Sequence, residues 1–267
     1  MADAPQVLIP QRKNSPSRYL QVLKLNSETY MINRKLTELY RDKFVELGNS
    51  LNEYNELINT RDSNSPNKAT NPLLLKVDNS WESSDLKIMI FGQENNIWAG
   101  ECGNGGVFSN KVEEVIDIYG QFYLKDKMYS CPFWNEFRRI RDSFSGRNVS
   151  VAWNNIVKIG RIGIGCIPEI HSLTVKHFNV IPQELEILKP DILIFLTGPN
   201  YDLKIQDTLG KYIIRPVDEF TSRQMGILEF EKNYNLKKCI RTYHPGYLYR
   251  NKVRRELFIK KLIEEII

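Results

Sequence analysis

Four short apolar runs in this sequence each end in polar residues whose types can do chemistry. LKIMIF (86–91) leads into Gly92-Gln93-Glu94-Asn95-Asn96 and VSVAW (149–153) into Asn154-Asn155. DILIFL (191–196) leads into Thr197-Gly198-Pro199-Asn200, and the weaker KKCIRTY (237–243) into His244-Pro245-Gly246. A carboxylate at Glu94 can hold a water or stabilise a developing cation, and an imidazole at His244, neutral or charged, can donate to an oxyanion. An asparagine offers a donor and an acceptor side by side, which matches an amide-like base edge. Adjacent residues of an extended strand point to opposite faces, so only one of Asn154 and Asn155 faces a shared pocket, and the sequence leaves open which.

Other chemistries lack their usual residues. There is no G-x-S-x-G, GxxxxGK[ST] or HExxH, and no GxGxxG behind a strand; Gly103-Asn104-Gly105-Gly106 follows no predicted strand directly and lacks a lysine. Cys102, Cys131, Cys166 and Cys239 are 29, 35 and 73 positions apart, so no CxxC pair or short ligand cluster exists. No metal and no cofactor are expected.

The elements that must position these residues follow from the same pattern. Runs of five to seven residues bounded by Gly, Pro or Asn suit buried strands. Between them FWNEFRRIRDSF (133–144) and NVIPQELEILK (179–189) have helical spacing, Pro190 stops the second, and VRRELFIKKLIEEII closes the chain as a further helix. Strand alternating with helix predicts a three-layer α/β/α fold with a central, mostly parallel, four-stranded sheet. Ligands in such folds bind at the carboxyl ends of the strands, which is where the four polar clusters fall. Residues 1–72 read differently. They are predicted to form an N-terminal helical extension of the α/β domain at 73–267, with Leu36, Tyr40, Phe44, Leu47, Leu51, Tyr54 and Ile58 on one stripe and Gly48-Asn49-Ser50 weakening its middle.

With 267 residues, 42% hydrophobic, the chain is long enough for a sizeable core and too apolar to be disordered. No run approaches the ~20 apolar residues of a membrane span, and the N-terminus has no long apolar segment after a basic start, so a cytoplasmic protein that does not engage a membrane is expected. The net charge of +5 is unevenly placed: Lys237 to Lys261 holds nine basic residues and one acid, Glu256. Such a run is compatible with phosphate contact.

In the order and spacing of FGQENN (91–96), VAWNNIVKI (151–159) and YHPGYL (243–248), the chain resembles the uracil-DNA glycosylase superfamily. DILIFLTG (191–198) is similar to the strand before that family's late His motif, and Gly105–Ser109 to the segment that lays an aromatic ring over the extruded base. The resemblance covers roughly Lys87 to Arg250 and implies a monomeric glycosylase acting on uracil or a related altered base in DNA, without a cofactor. Residue by residue it implies Glu94 as the water-activating carboxylate, Gln93 beside the base, and Asn154 or Asn155 reading the pyrimidine edge. It implies Phe108 as the stacking ring, with Phe133 and Trp134 as substitutes, and His244 stabilising charge on the departing base. Tyr247 and Leu248 would wedge into the minor groove, and Arg250, Lys252 and Arg254 would lie near phosphates. Asn95 and Asn96 stand where the family has Pro and an aromatic, and Gly246 where one branch has Ser. These departures leave room for a relative that binds a base without cutting, or for an interaction protein that works through its N-terminal helices.

Overall fold

In the computed structural model the described residues are 16–98, 112–250 and 252–266. Seven strands form one sheet: β1 (Ala69–Pro72), β2 (Leu86–Asn96), β3 (Val149–Arg161), β4 (Ile192–Phe195), β5 (Tyr212–Pro216), β6 (Met225–Phe230) and β7 (Lys238–Thr242). Their order is β1-β3-β2-β4-β7-β6-β5. The four expected strands β3, β2, β4 and β7 are neighbours and run parallel. The sheet is wider than the four strands predicted, because β1 adds antiparallel to β3, and β6 and β5 add antiparallel beyond β7. Pro72 and Pro216 lie in the two edge strands, where a missing N–H costs no ladder bond.

The helices are α1 (Pro16–Arg61), α2 (Asn79–Ser83), α3 (Val112–Tyr119), α4 (Pro132–Asp142), α5 (Pro168–His177), α6 (Ile181–Leu188), α7 (Asp202–Leu209), α8 (Pro245–Leu248) and α9 (Lys252–Ile266). Helix α1 runs unbroken through Gly48-Asn49-Ser50, and its stripe from Leu36 to Leu51 is buried in the same core as the sheet. Tertiary packing of that face outweighs the propensity cost of one glycine, about 1 kcal/mol. Among the described residues no helix is long and apolar enough to cross a membrane.

Two strands are longer than their apolar runs. β2 continues past Phe91 to Asn96 and β3 past Trp153 to Arg161, with Gly92 opposite Asn155 and Glu94 opposite Val157. Gln93, Glu94, Asn154 and Asn155 therefore sit inside strands rather than in the loops after them. Gly160 makes this long pairing possible, since a Cβ there would fall 1.8 Å from the Asn95 carbonyl oxygen.

Beneath one face of β3 lies a buried polar cluster. Lys158 Nζ reaches Glu184 Oε1 at 2.7 Å and Asn154 Oδ1 at 2.9 Å; Asn154 Nδ2 donates to Glu184 Oε2, and Tyr40 of α1 donates its hydroxyl hydrogen to Glu184 Oε1 at 2.6 Å. The Leu75 amide donates in turn to the Tyr40 oxygen. Burial pulls the Lys158 pKa down and the Glu184 charge opposes that shift. The cluster joins α1, β3 and α6 through buried hydrogen bonds. Lys158→Met strands a carboxylate that is 0% exposed, so urea unfolding is expected to show a loss of about 3–5 kcal/mol. The double change Lys158→Met with Glu184→Leu is expected to recover a large part of that loss.

Candidate active site

Because β3, β2, β4 and β7 run parallel, their carboxyl ends share one edge of the sheet. The β2–β4 pairing stops at Phe91 and Phe195, whereas the β2–β3 pairing continues to Asn96. The last residues of β2 are thus paired on one side only. There a cavity of about 510 Å³ is lined by Gly92, Gln93, Glu94, Asn155 and His244, with Phe133 and Trp134 of α4 among its aromatic walls. Four of the sequence-predicted site residues, from β2, β3 and the turn after β7, meet in it.

Asn155 faces this cavity, and Asn154 points through the opposite face into the Lys158–Glu184 cluster. The orientation of the Asn155 amide is set from both ends. The Lys158 carbonyl can only accept, so it takes Asn95 Nδ2 at 3.0 Å and leaves Asn95 Oδ1 to receive Asn155 Nδ2 at 2.5 Å. The indole of Trp153 can only donate, and it meets Asn155 Oδ1 at 3.1 Å. Asn155 keeps one N–H and one lone pair for a ligand, in fixed positions. Its Oδ1 would lie 2.4 Å from a Cβ on Gly92, and Phe133 would lie 3.1 Å away. Gly92→Ala is therefore expected to displace the amide or the ring, read as a shift of the Asn155 side-chain amide resonances, with the fold unchanged by circular dichroism.

His244 caps the short helix α8. The Gly246 amide donates to its Nδ1 at 3.1 Å, and Pro245 holds the first helical position. An accepting Nδ1 places the proton of the neutral ring on Nε2. Burial pushes the His244 pKa down to about 4, so the ring is neutral at pH 7 and remains an N–H donor. The Phe133 ring stacks on the imidazole with centroids 6.1 Å apart and 11° between planes. Gly246 lets the amide approach closely, since a Cβ there would lie 3.1 Å from Nδ1.

Burial raises the Glu94 pKa above its usual value, while the Tyr201 hydroxyl, which donates to Oε2, and the cations Lys204 and Arg161 pull it back down. Gln93 donates through Nε2 to the Thr197 carbonyl at 2.7 Å, tying the end of β2 to the segment after β4. Its side-chain amide is thereby committed to the frame of the site.

Among the residues expected to contact DNA, Leu248 is 2% exposed and packs in the core, so it is no wedge. Only Tyr247 of that pair reaches solvent, with its ring 4.5 Å from that of Tyr243. Phe108 lies outside the described residues, as do the side chains of Lys252 and Arg254. Arg250 is exposed. Among the described side chains, much of the basic run is paired with acids, most of them outside the run. Lys237 pairs with Asp191, Lys238 with Glu265, Arg255 with Glu136 and Glu256, and Lys261 with Asp218 and Glu265. Arg241 is 1% exposed and bonds Asp202, so it belongs to the interior. Counting charges along the chain overstated the free positive surface because most of these partners are distant in sequence.

Three residues that shape the site were given no role: Trp153 and Asn95, which orient Asn155 and lie within VAWNNIVKI and FGQENN, and Tyr201, which binds Glu94 and lies outside every motif. Their types gave a weak signal, since an indole or phenol beside a strand end reads as core. Among the described residues no group of three or more His, Cys, Asp or Glu side chains is placed to hold a metal ion. No family model and no curated protein matches this chain.

Proposed function

We propose that this protein is a DNA glycosylase of the uracil-DNA glycosylase type, hydrolysing the N-glycosidic bond of uracil or a related altered base flipped out of DNA. The observation that carries this reading is the meeting of Glu94, Asn155 and His244 in one aromatic-walled cavity at the carboxyl ends of parallel strands, with Asn154 turned away. Four neighbouring parallel strands that bring their carboxyl ends to one edge of the sheet support the reading.

The chemistry fits the parts. Breaking an N-glycosidic bond passes through a sugar with oxocarbenium character and a base that gathers negative charge. Glu94 in its carboxylate form stabilises the cation and orients the attacking water. Neutral His244 donates Nε2–H to the base oxygen where charge collects. The fixed N–H and lone pair of Asn155 read the donor and acceptor edge of the base, and Phe133 offers a face for stacking. Extrusion costs a few kcal/mol, offset by these contacts.

Release of a free base is the test. Single- and double-stranded oligonucleotides carrying uracil, hypoxanthine or another altered base are incubated with the protein and the supernatant is chromatographed. A free base leaving an abasic strand supports the reading. Tight binding with no base released replaces it with a relative that recognises a base without cutting.

A further inference from the structure

Glu94 does not stand alone at the cavity edge. Tyr201, in the 3₁₀ turn Pro199–Tyr201 that follows β4, donates its hydroxyl hydrogen to Glu94 Oε2. The Lys204 ammonium lies 4.7 Å from the centroid of the Tyr201 ring, a cation–π contact that fixes the ring in place. Among the described residues nothing donates to Oε1. One oxygen of the carboxylate is thus occupied by the protein and the other is left free for a ligand, on a residue that lines the cavity.

We propose that Tyr201 is the positioning residue of Glu94: its phenol fixes the carboxylate rotamer through Oε2 and presents Oε1 to the water or the sugar. This rests on the glycosylase reading for what Oε1 meets. Tyr201 acts through Glu94 and itself touches no substrate. The geometry also bears on charge. Glu94 is faced by Tyr201, by Lys204 of α7, by Arg161 at the end of β3 and by the Cys166 thiol after it, and His244 lines the same cavity. Burial works against the carboxylate, and the Tyr201 hydrogen bond is the first of the contacts that favour it. Removing that donor raises the pKa of Glu94 and leaves less carboxylate at a given acidic pH.

The test is a ¹³C titration of the full chain labelled at glutamate Cδ, with the Glu94 signal assigned by its loss in Glu94→Gln. In Tyr201→Phe the Glu94 midpoint is expected to rise by about one pH unit, the scale of one hydrogen bond to a charged group. The acid limb of base release is expected to rise by the same amount, with the DNA concentration for half-saturation unchanged. Replacing Tyr201 with 3-fluorotyrosine keeps the shape and strengthens the donor, so the midpoint is expected to fall. This second variant decides the matter even if Tyr201→Phe does not fold. A midpoint unmoved in either folded variant overturns the proposal. The titration needs no substrate, so it stands apart from the glycosylase reading, which fails instead if the wild-type chain releases none of the bases.

Discussion

Glu94→Gln is expected to slow base release by about 10²–10³-fold, the scale of losing one positioned electrostatic group. Its effect on stability is expected to be small. Glutamine has the same shape as glutamate, and its carbonyl oxygen can still accept the Tyr201 hydroxyl that Glu94 Oε2 accepts. The substitution therefore removes charge while keeping the contact. Because the carboxylate is largely enclosed, its charge is poorly screened and its absence is felt at the sugar. The pH dependence should change in kind as well. In the wild-type protein burial raises the Glu94 pKa toward the working range and pushes that of His244 down to about 4, out of it. The acid limb of the rate belongs to Glu94, and it should vanish in Glu94→Gln. Stopped single-turnover assays from pH 4.5 to 8, with thermal melts alongside, measure both effects.

His244→Ala is expected to cost about 10²–10³-fold by a different route. Here a neutral donor is lost, so the plateau falls while the acid limb stays where Glu94 puts it. The sign follows from the burial of the imidazole. Its folded pKa is depressed from 6.5 to about 4, so the uncharged form persists across the working range. Protonation lost or gained near pH 6.5 should not appear in the rate. Stability should fall as pH drops from about 6.5 toward 4, because the unfolded chain takes up a proton that the folded one refuses. That pH-dependent loss should be absent from His244→Ala. A rate profile with a break near 6.5 that disappears on substitution would point instead to a charged, solvent-exposed imidazole.

Much of the site was legible because its residues lie at strand ends, and strand ends announce themselves by a change from apolar to polar. The parallel core of β3, β2, β4 and β7 came from apolar runs buried on both faces, such as Ile192–Phe195, which is buried throughout. The lengths of β2 and β3 did not, because Gln93, Glu94, Asn95, Asn154 and Lys158 are polar and read as loop. Asn95, Asn154 and Lys158 bond one another, Asn155 or Glu184, whereas Gln93 bonds the Thr197 carbonyl and Glu94 the Tyr201 hydroxyl, and such pairings across distant segments leave no local mark. The choice between Asn154 and Asn155 was fixed by where the cluster lies, which no spacing encodes. Leu248 was misread for a related reason. In a helix of four residues no period is long enough to tell an inward side chain from an outward one, and Tyr247 beside it does point out. The antiparallel strands β5 and β6 are short and carry Arg215, Pro216 and Glu229, so their apolar signal is faint.

On the proposed reading, this cavity cuts the bond between an altered base and its sugar. The most direct measurement is single-turnover incubation of excess protein with labelled oligonucleotides, single- and double-stranded, each carrying one altered base and scored by alkaline cleavage at abasic sites. Strand breaks at the altered base with the wild-type chain, reduced about 10²-fold or more in both Glu94→Gln and His244→Ala, are the predicted result. Strand breaks that persist undiminished in both variants, or no breaks with any base, would contradict it.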